Sequence, residues 1–411
     1  MSLKRIVIGS VFILIIGYLI YSALIISTPV QKISHPKGGQ FAGSESCASC
    51  HLDIHQTFLN TAHNKTSALA SKSTVLGSFK EGENVLQFND HDRVVMNEYD
   101  SGLFQSSFIN DEFQGAQRFD IVTGSGTKGQ TYLSWRGNKI VQLPVSNSVP
   151  EKQWSSSPGN PTDRIILNRP VISRCLNCHS THIDVTAQMN APPDYHKHSM
   201  ILGIQCERCH GPAARHVSFE GEIDPKTKNR NVANPKFLTR RQQLDLCAQC
   251  HSANLTSSSP DFFFLPGDNL ASKPFVPQVI DTSSNAEVHG NQYDMLEATK
   301  CFTLSNDMTC SSCHNTHKNE RGNLASFSSK CLTCHSGKTD QLKTCKLTSR
   351  VGDDLRKNCI DCHMPVKASN KIMVSVGNSK SLKSEMARTH FISIYPTQTE
   401  KILNMLKNLN P

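Results

Sequence analysis

A five-residue pattern, Cys-x-x-Cys-His, occurs seven times in this chain of 411 residues. A shuffled chain with 16 cysteines and 18 histidines would hold about 0.03 copies, so the repetition is not accidental. The pattern is typical of covalent c-type haem attachment, in which two thiols bond the cofactor's vinyl groups and the histidine binds its iron. A zinc knuckle or a redox-active dithiol does not require a histidine after the second cysteine on every occasion. The chain is therefore expected to carry seven haem c groups.

The seven motifs, numbered 1 to 7 in chain order together with the haems they would hold, are unevenly spaced. The predicted attachment cysteines are Cys47, Cys50, Cys175, Cys178, Cys206, Cys209, Cys247, Cys250, Cys310, Cys313, Cys331, Cys334, Cys359 and Cys362. The predicted proximal ligands of the haem irons are His51, His179, His210, His251, His314, His335 and His363. A long stretch without a motif separates motif 1 from motif 2, whereas motifs 2 to 7 follow one another closely.

This spacing predicts five segments. They are a membrane anchor or signal with a linker (1–40), the haem 1 segment (41–72), a β-rich insert without haem (73–165), a six-haem domain (166–395) and a short C-terminal helix (396–411).

Local composition predicts the fold class. Stretches at 84–88, 93–99, 103–109 and 131–145 are typical of strands. Frequent glycine and proline in the haem-dense region predict short helices and loops with little sheet. The predicted fold is therefore mainly α with much loop: a multihaem cytochrome c domain that carries a small antiparallel β-rich insert and an N-terminal transmembrane helix.

The N-terminus predicts where the chain works. Residues 6–26 form an uncharged run after Lys4 and Arg5 that is long enough to cross a bilayer. An uncleaved anchor is favoured, because no convincing small-residue cleavage site follows the run. Haem attachment takes place outside the bacterial cytoplasm, so the globular part is expected on the periplasmic side, held at the inner membrane by this helix. The alternative is secretion to the periplasm after signal cleavage.

Composition fits a core that is partly cofactor. Hydrophobic residues make up 37% of the chain, which is low for a globular domain of this size. The formal charge of +9 would be offset in large part by the ionised propionates of the haems. No nucleic-acid partner is expected. The glycine pattern at Gly124, Gly126 and Gly129 matches a dinucleotide loop, but a strand-like stretch follows it, which favours a turn between strands.

The ligand on the second side of each iron decides whether a haem only carries electrons. Eleven histidines remain outside the motifs, enough to close all seven irons. His182, His216 and His317 each follow a proximal histidine closely and are favoured as distal ligands of a neighbouring haem. His35, His55 and His91 are not favoured, and no methionine stands out as a ligand.

Several blocks of the chain resemble a known superfamily. Residues 41–63 around motif 1, residues 206–216 with Gly-Pro-Ala-Ala-Arg after motif 3, and Met-Pro after motif 7 with Arg-Thr-His at 388–390 are similar to multihaem cytochromes grouped with the ammonia oxidisers' tetrahaem cytochrome and hydroxylamine oxidoreductase. The resemblance implies that His63, His216 and His390 are distal ligands, and also His289. A seventh distal ligand would then be His196 or His198, with His198 preferred.

The chain departs from this family at two points. Every motif ends in histidine, whereas the pentahaem nitrite reductases of the superfamily use a lysine at the catalytic haem. No tyrosine is identified as an equivalent of the cross-linked tyrosine of the hydroxylamine-oxidising enzymes. The resemblance therefore supports a scaffold and not a substrate.

Two cysteines, Cys301 and Cys345, lie outside the motifs. A disulfide is the default in an oxidising compartment, and a free thiol near a haem edge is the alternative.

Two functions stay open. The favoured one is a seven-haem periplasmic carrier that passes electrons from a membrane quinol-linked donor to a further redox protein partner. The alternative is a multihaem oxidoreductase that acts on a small nitrogen or sulfur species at one open-coordinate haem, for which no catalytic residue is identified.

Overall fold

The computed structural model describes residues 32–219, 231–272, 287–335, 345, 347, 356–379 and 381–409. The described helices are α1 (Ser44–Cys47), α2 (Leu52–Phe58), α3 (Ser173–His179), α4 (Cys206–His210), α5 (Ala214–Ser218), α6 (Arg240–His251), α7 (Gln292–Glu297), α8 (Lys300–Thr303), α9 (Leu324–Leu332), α10 (Cys359–His363) and α11 (Pro396–Leu409).

The first eleven strands form two antiparallel sheets. These strands are β1 (Ser67–Leu69), β2 (Val85–Gln87), β3 (Arg93–Tyr99), β4 (Gly102–Ile109), β5 (Glu112–Arg118), β6 (Ile121–Thr123), β7 (Gly129–Arg136), β8 (Lys139–Gln142), β9 (Val145–Ser148), β10 (Gln153–Ser156) and β11 (Arg169–Pro170). One sheet has the order β2-β3-β4-β5. The other has the order β1-β6-β7-β8-β11, with β9 paired to β7 and to β10.

The larger sheet is buried on both faces. Successive side chains of a strand point to opposite faces, so neighbouring residues enter different cores. On β6, Val122 packs with Val94 and Met96 of the smaller sheet, whereas Ile121 packs with Leu176 of α3. On β7, Tyr132 belongs to the core shared with the smaller sheet, and Leu133 belongs to the core shared with α3. The larger sheet therefore joins the smaller sheet to the part of the chain that carries motif 2.

Eight further strands form hairpins and short ladders among the later motifs. They are β12 (Ser180–His182), β13 (Val185–Gln188), β14 (Ala191–Tyr195), β15 (Ile201–Leu202), β16 (Leu255–Thr256), β17 (Ala271–Ser272), β18 (Val366–Ser375) and β19 (Leu382–Arg388). A third apolar core lies on α6, where Leu244 and Ala248 pack with Tyr293 of α7 and Phe302 of α8.

The predicted fold class is wrong in its proportions, because the structure is about 27% helical and 28% strand. The prediction of little sheet after motif 2 missed β18 and β19. Their polar residues alternate with few apolar ones, so they lack the dense β-branched pattern that was used to recognise strands.

The predicted membrane helix at residues 6–26 lies outside the described residues. Among the helices that the structure does describe, none is long and apolar enough to span a bilayer. The boundaries of the five predicted segments stay a prediction.

The turn predicted at the glycine pattern is confirmed. Gly124 and Gly126 lie between β6 and β7, which pair antiparallel, and no helix starts there. A dinucleotide loop is therefore excluded at this position. The C-terminal helix is present as α11.

Candidate haem-binding sites

Short helical turns position the residues of the motifs. Motifs 2, 3, 4 and 7 end the helices α3, α4, α6 and α10. In motifs 1, 5 and 6 the histidine N–H donates to the carbonyl of the first cysteine, at 2.9 Å in each case. A helical turn brings residues three and four apart to one face, so both thiols and the imidazole can meet one ligand.

Four proximal histidines are oriented through Nδ1. His210 and His363 donate from Nδ1 to the carbonyl oxygens of Ala233 and Ser393, both at 2.8 Å. His179 Nδ1 lies 3.0 Å from Thr66 Oγ1. His251 Nδ1 lies 3.1 Å from the side-chain oxygen of Gln292. A proton held on Nδ1 leaves the Nε2 lone pair available for a metal ion.

Four imidazoles outside the motifs lie opposite motif imidazoles. The pairs of ring centroids are His51 and His216 at 6.5 Å, His210 and His317 at 6.1 Å, His63 and His251 at 6.2 Å, and His314 and His390 at 6.2 Å. With a metal–nitrogen bond of about 2.0 Å and a centroid about 1.1 Å beyond each nitrogen, two imidazoles on one iron stand about 6 Å apart. The residues therefore fit a group whose iron is bound from both sides.

The ring planes distinguish one pair from the other three. His63 and His251 are inclined at 72°. The planes of the other three pairs are inclined at 16°, 22° and 27°.

Burial keeps these imidazoles in the form that binds metal. Loss of water contact lowers the pKa of His63 to about 4 and that of His390 to about 4. Burial is also the main cause of the lowered pKa of His179, to which the charges of His289 and His251 add. His289 is therefore the imidazole outside the motifs that acts most strongly on that of motif 2. Neutral imidazole is the metal-binding form of histidine.

All seven motifs line one connected cavity of about 3410 Å³. That volume is about 490 Å³ for each motif, within the usual range of a pocket for one organic cofactor. The cavity therefore fits a continuous set of cofactors in contact with one another.

Thiols of different motifs touch one another. The Cys47 thiol lies close enough to that of Cys206 to lower its pKa, and the Cys250 thiol lies close enough to that of Cys178 to raise its pKa. The same contact joins Cys247 to Cys310 and Cys331 to Cys359. Cys209 also lies near Cys247, and Cys313 lies near Cys331. Motifs 1 and 3, 3 and 4, 4 and 2, 4 and 5, 5 and 6, and 6 and 7 are therefore neighbours.

The structure does not bring the other predicted distal ligands opposite a motif histidine. His182 is 1% exposed, and its Nε2 lies 3.0 Å from the Asp184 carboxylate. Its ring faces Phe41 and His35. His198 is exposed, and so is His196, whose Nε2 lies 3.1 Å from Thr186 Oγ1.

Each of the two cysteines outside the motifs lies near motif thiols. Burial and then the nearby Cys334 raise the pKa of Cys301, and burial with a contribution from the nearby Cys345 raises that of Cys362. The structure forms no disulfide between Cys301 and Cys345, so that predicted pairing is not present.

Sequence reasoning missed a buried arginine that ties three motifs together. Arg208, inside motif 3, donates to the carbonyl and side-chain oxygens of Asn177 in motif 2, at 2.9 and 2.7 Å. It also donates to the side-chain oxygen of Gln249 in motif 4, at 2.8 Å. These residues are the variable positions of the Cys-x-x-Cys pattern, which carry no signal for haem chemistry.

The backbone around His63 depends on one glycine. Gly203 has a φ of 70°, and a Cβ there would clash with the Asn64 carbonyl. Its N–H donates to Ser67 Oγ at 2.8 Å, and the next N–H, of Ile204, donates to the His63 carbonyl at 2.9 Å. Any displacement of this contact would therefore move the ligand candidate His63.

Gly203→Ala is expected to destabilise the protein by about 2–4 kcal/mol. The cost of an alanine at a positive φ and the cost of the clash between its Cβ and the Asn64 carbonyl add together. Gly137→Ala is the matched control, since Gly137 has a φ of 59° with open space around it. We expect that variant to lose about 1 kcal/mol of stability. Thermal unfolding of the two holoproteins measures the difference, and equal losses would contradict the role of the clash.

Comparisons with known proteins agree with a multihaem cytochrome. Residues 132–211 match the family described as cytochrome c554 and c-prime. The chain is 25% identical over 180 residues to the multihaem cytochrome MtrA of Shewanella baltica (strain OS185), which is 40% of this chain and 52% of that protein. It thus spans about half the length of this curated relative.

The fold also resembles that of a solved structure. The crystal structure of the outer cell wall cytochrome OcwA superposes with a TM-score of 0.50 at 14% identity, over 88% of this chain and 81% of that one. At this identity the likeness concerns the fold alone. The narrower resemblance to the hydroxylamine oxidoreductase group is not confirmed by these matches.

Proposed function

We propose that this chain, which belongs to the multihaem c-type cytochromes, conducts electrons along a continuous series of seven covalently bound haems. The observation that carries the proposal is the set of four imidazole pairs at the spacing of a doubly bound iron. An iron closed by histidine on both sides exchanges electrons through its macrocycle edge and binds no substrate.

Each pair assigns a distal ligand to one haem. His216 would serve haem 1, His317 haem 3, His63 haem 4 and His390 haem 5. His289 would serve haem 2, because it lines the same cavity as His179 and lies near enough to contribute to the lowered pKa of His179. Five of the seven haems are then closed on both sides.

The thiol contacts support an order for the haems. Sulfur atoms in contact mean that the two macrocycle edges bonded to them are also close. The order is then 1-3-4-5-6-7, with haem 2 attached as a branch at haem 4. Haems 1, 2 and 7 are the ends at which electrons would enter or leave.

The partners of such a chain are other redox proteins. The chemistry of haem attachment supports a place outside the cytoplasm, on the periplasmic side. A membrane quinol-linked enzyme is the donor class that we favour, with a further redox protein as acceptor. The relatives support an electron-transfer role for the fold, since both are described as cytochromes.

Protein-film voltammetry tests both conduction and haem order. We would hold the holoprotein on an electrode through a C-terminal tag, because α11 packs against α10, which carries motif 7. All seven haems are expected to exchange electrons rapidly. Removal of haem 4 by Cys247→Ser with Cys250→Ser should leave three rapid haems, those numbered 5, 6 and 7.

Removal of haem 2 is the matched control. Cys175→Ser with Cys178→Ser deletes a branch, so six haems should still exchange rapidly. If both variants lost the same number of haems, the proposed order would be wrong. Slow exchange in the unmodified holoprotein with seven haems present would contradict conduction itself.

A further inference from the structure

The histidines of this chain can be accounted for completely, because all 18 lie in the part that the structure describes. Seven belong to the motifs, and five lie opposite or beside a motif imidazole as described above. Six remain, and each has another position in the fold.

None of these six rings lies against the ring of a motif histidine in the described residues. His35 and His182 face one another, with centroids 6.4 Å apart. His55 is buried on α2 with its Nε2 3.8 Å from Glu45, and His91 bonds Asp111 on the surface of the smaller sheet. The other two are the exposed His196 and His198.

Two motif histidines, His335 and His363, are therefore left without a second imidazole. Motif 7 is nevertheless held by hydrogen bonds of the same kind as those of the motifs whose histidine has a partner imidazole. His363 Nδ1 donates to the Ser393 carbonyl at 2.8 Å, and the Cys359 N–H donates to Ser328 Oγ at 2.9 Å. Motif 7 thus differs from the paired motifs in having no second imidazole opposite its histidine among the described residues.

Two arginines and one aspartate carboxylate lie at motif 7, so positive charge exceeds negative charge there. Arg388 donates to the Met364 carbonyl at 2.7 Å and to the Asp361 carboxylate at 2.8 Å. Arg356 lines the same cavity. Cationic groups beside a metal attract small anions and stabilise them when they bind.

We propose that haems 6 and 7 have no histidine as distal ligand and that haem 7, at the end of the series, binds a small anionic ligand at its iron. The step is reversible coordination, in which the anion donates an electron pair and no group is oxidised or reduced. The site rests on the proposed haem series for its iron, but not on conduction along it. Haem 7 would then be the end of the haem series at which a small molecule binds.

Electron paramagnetic resonance of the oxidised holoprotein, with cyanide as the probe, tests this inference. We expect five or six low-spin irons and correspondingly two or one high-spin irons, with the high-spin signal of haem 7 turning low-spin on addition of cyanide. Seven low-spin irons before cyanide is added would overturn the proposal. A histidine–methionine signature in near-infrared magnetic circular dichroism that accounts for haem 7 would overturn it as well.

Two variants assign the signal. Cys359→Ser with Cys362→Ser removes haem 7 and should abolish the cyanide-sensitive signal that it contributes. Cys175→Ser with Cys178→Ser removes haem 2 and should leave it unchanged. If the first variant does not fold, the spin count of the unmodified protein still decides the question. A total of fewer than seven haems in the pyridine haemochrome assay would instead count against the proposed function.

Discussion

Replacing His63 with alanine is expected to convert one low-spin haem to high spin and to remove the most anisotropic signal of the oxidised protein. His63 is the partner of His251, with ring planes inclined at 72°. Steeply inclined imidazoles make the two π-accepting iron orbitals nearly equal in energy, which produces a highly anisotropic low-spin spectrum. The three pairs with nearly parallel planes should give ordinary rhombic spectra.

The measurement is electron paramagnetic resonance of the oxidised variant, with spin integration. One iron in seven should change spin state, and the rhombic signals should persist. Added imidazole should restore the low-spin state, because it can occupy the position that the side chain left. This rescue separates a ligand from a residue that only supports the fold.

His182→Ala is the matched control, since His182 is also buried but faces Asp184 and His35. We expect its spectrum to match that of the unmodified protein. A new high-spin haem in His182→Ala, or an unchanged spectrum in His63→Ala, would show that the ligand assignment is wrong.

Replacing Arg208 with methionine is expected to lower the reduction potentials of haems 2, 3 and 4 by tens of millivolts. Arg208 is 6% exposed, and no ion pair joins it to a carboxylate among the described residues. A buried positive charge favours the reduced iron, which carries one charge less. Across a protein interior the interaction is worth about 1–2 kcal/mol, equivalent to tens of millivolts for one electron.

The same change should destabilise the protein by about 3 kcal/mol or more. Arg208 makes three hydrogen bonds to Asn177 and Gln249, and bonds to a charged donor contribute about 1.5–3 kcal/mol each. The acceptors would be left buried without a donor. Spectroelectrochemistry measures the potentials, and thermal unfolding measures the stability.

Arg208→Lys separates the two effects. Lysine keeps the charge, but its shorter side chain does not place a donor at the position of Arg208 Nη2, which reaches both motifs. The potentials should stay near those of the unmodified protein, while the stability falls. If both variants shifted the potentials equally, the shift would come from displaced haems and not from the lost charge.

The motif spacing predicted the local chemistry of the chain better than its architecture. Two thiols and an imidazole within five residues form a site within one helical turn, so the sequence suffices to recognise it. The strands around Arg93–Tyr99 were also predicted, because dense β-branched and aromatic residues mark strands wherever they occur. β18 and β19 carry no such pattern and form through pairing with one another.

The predictions of distal ligands show the same limit of local sequence context. His216 and His317 were favoured from their place just after a motif, and the structure brings both opposite a motif histidine. His182 has the same local context, but its ring lies against Phe41, and Asp184 bonds its Nε2. Local context cannot separate these cases, because the partner of each imidazole comes from a distant part of the chain. The supply of eleven free histidines likewise gave no sign that six of them have other positions.

The pairing of imidazoles also has a consequence for how the protein is made. In three of the four ring pairs the motif histidine precedes its partner by a long stretch of chain, as His51 precedes His216 and His314 precedes His390. A chain emerging from its N-terminus would receive haem 1 before the residue that closes its iron has left the translocation machinery. In the proposed periplasmic location, each such iron would pass through a stage with an open face during export, and residue 390 would have to arrive before haem 5 is closed on both sides. Biogenesis would therefore end near the C-terminus, and chains cut short there would carry reactive haems in place of protected ones.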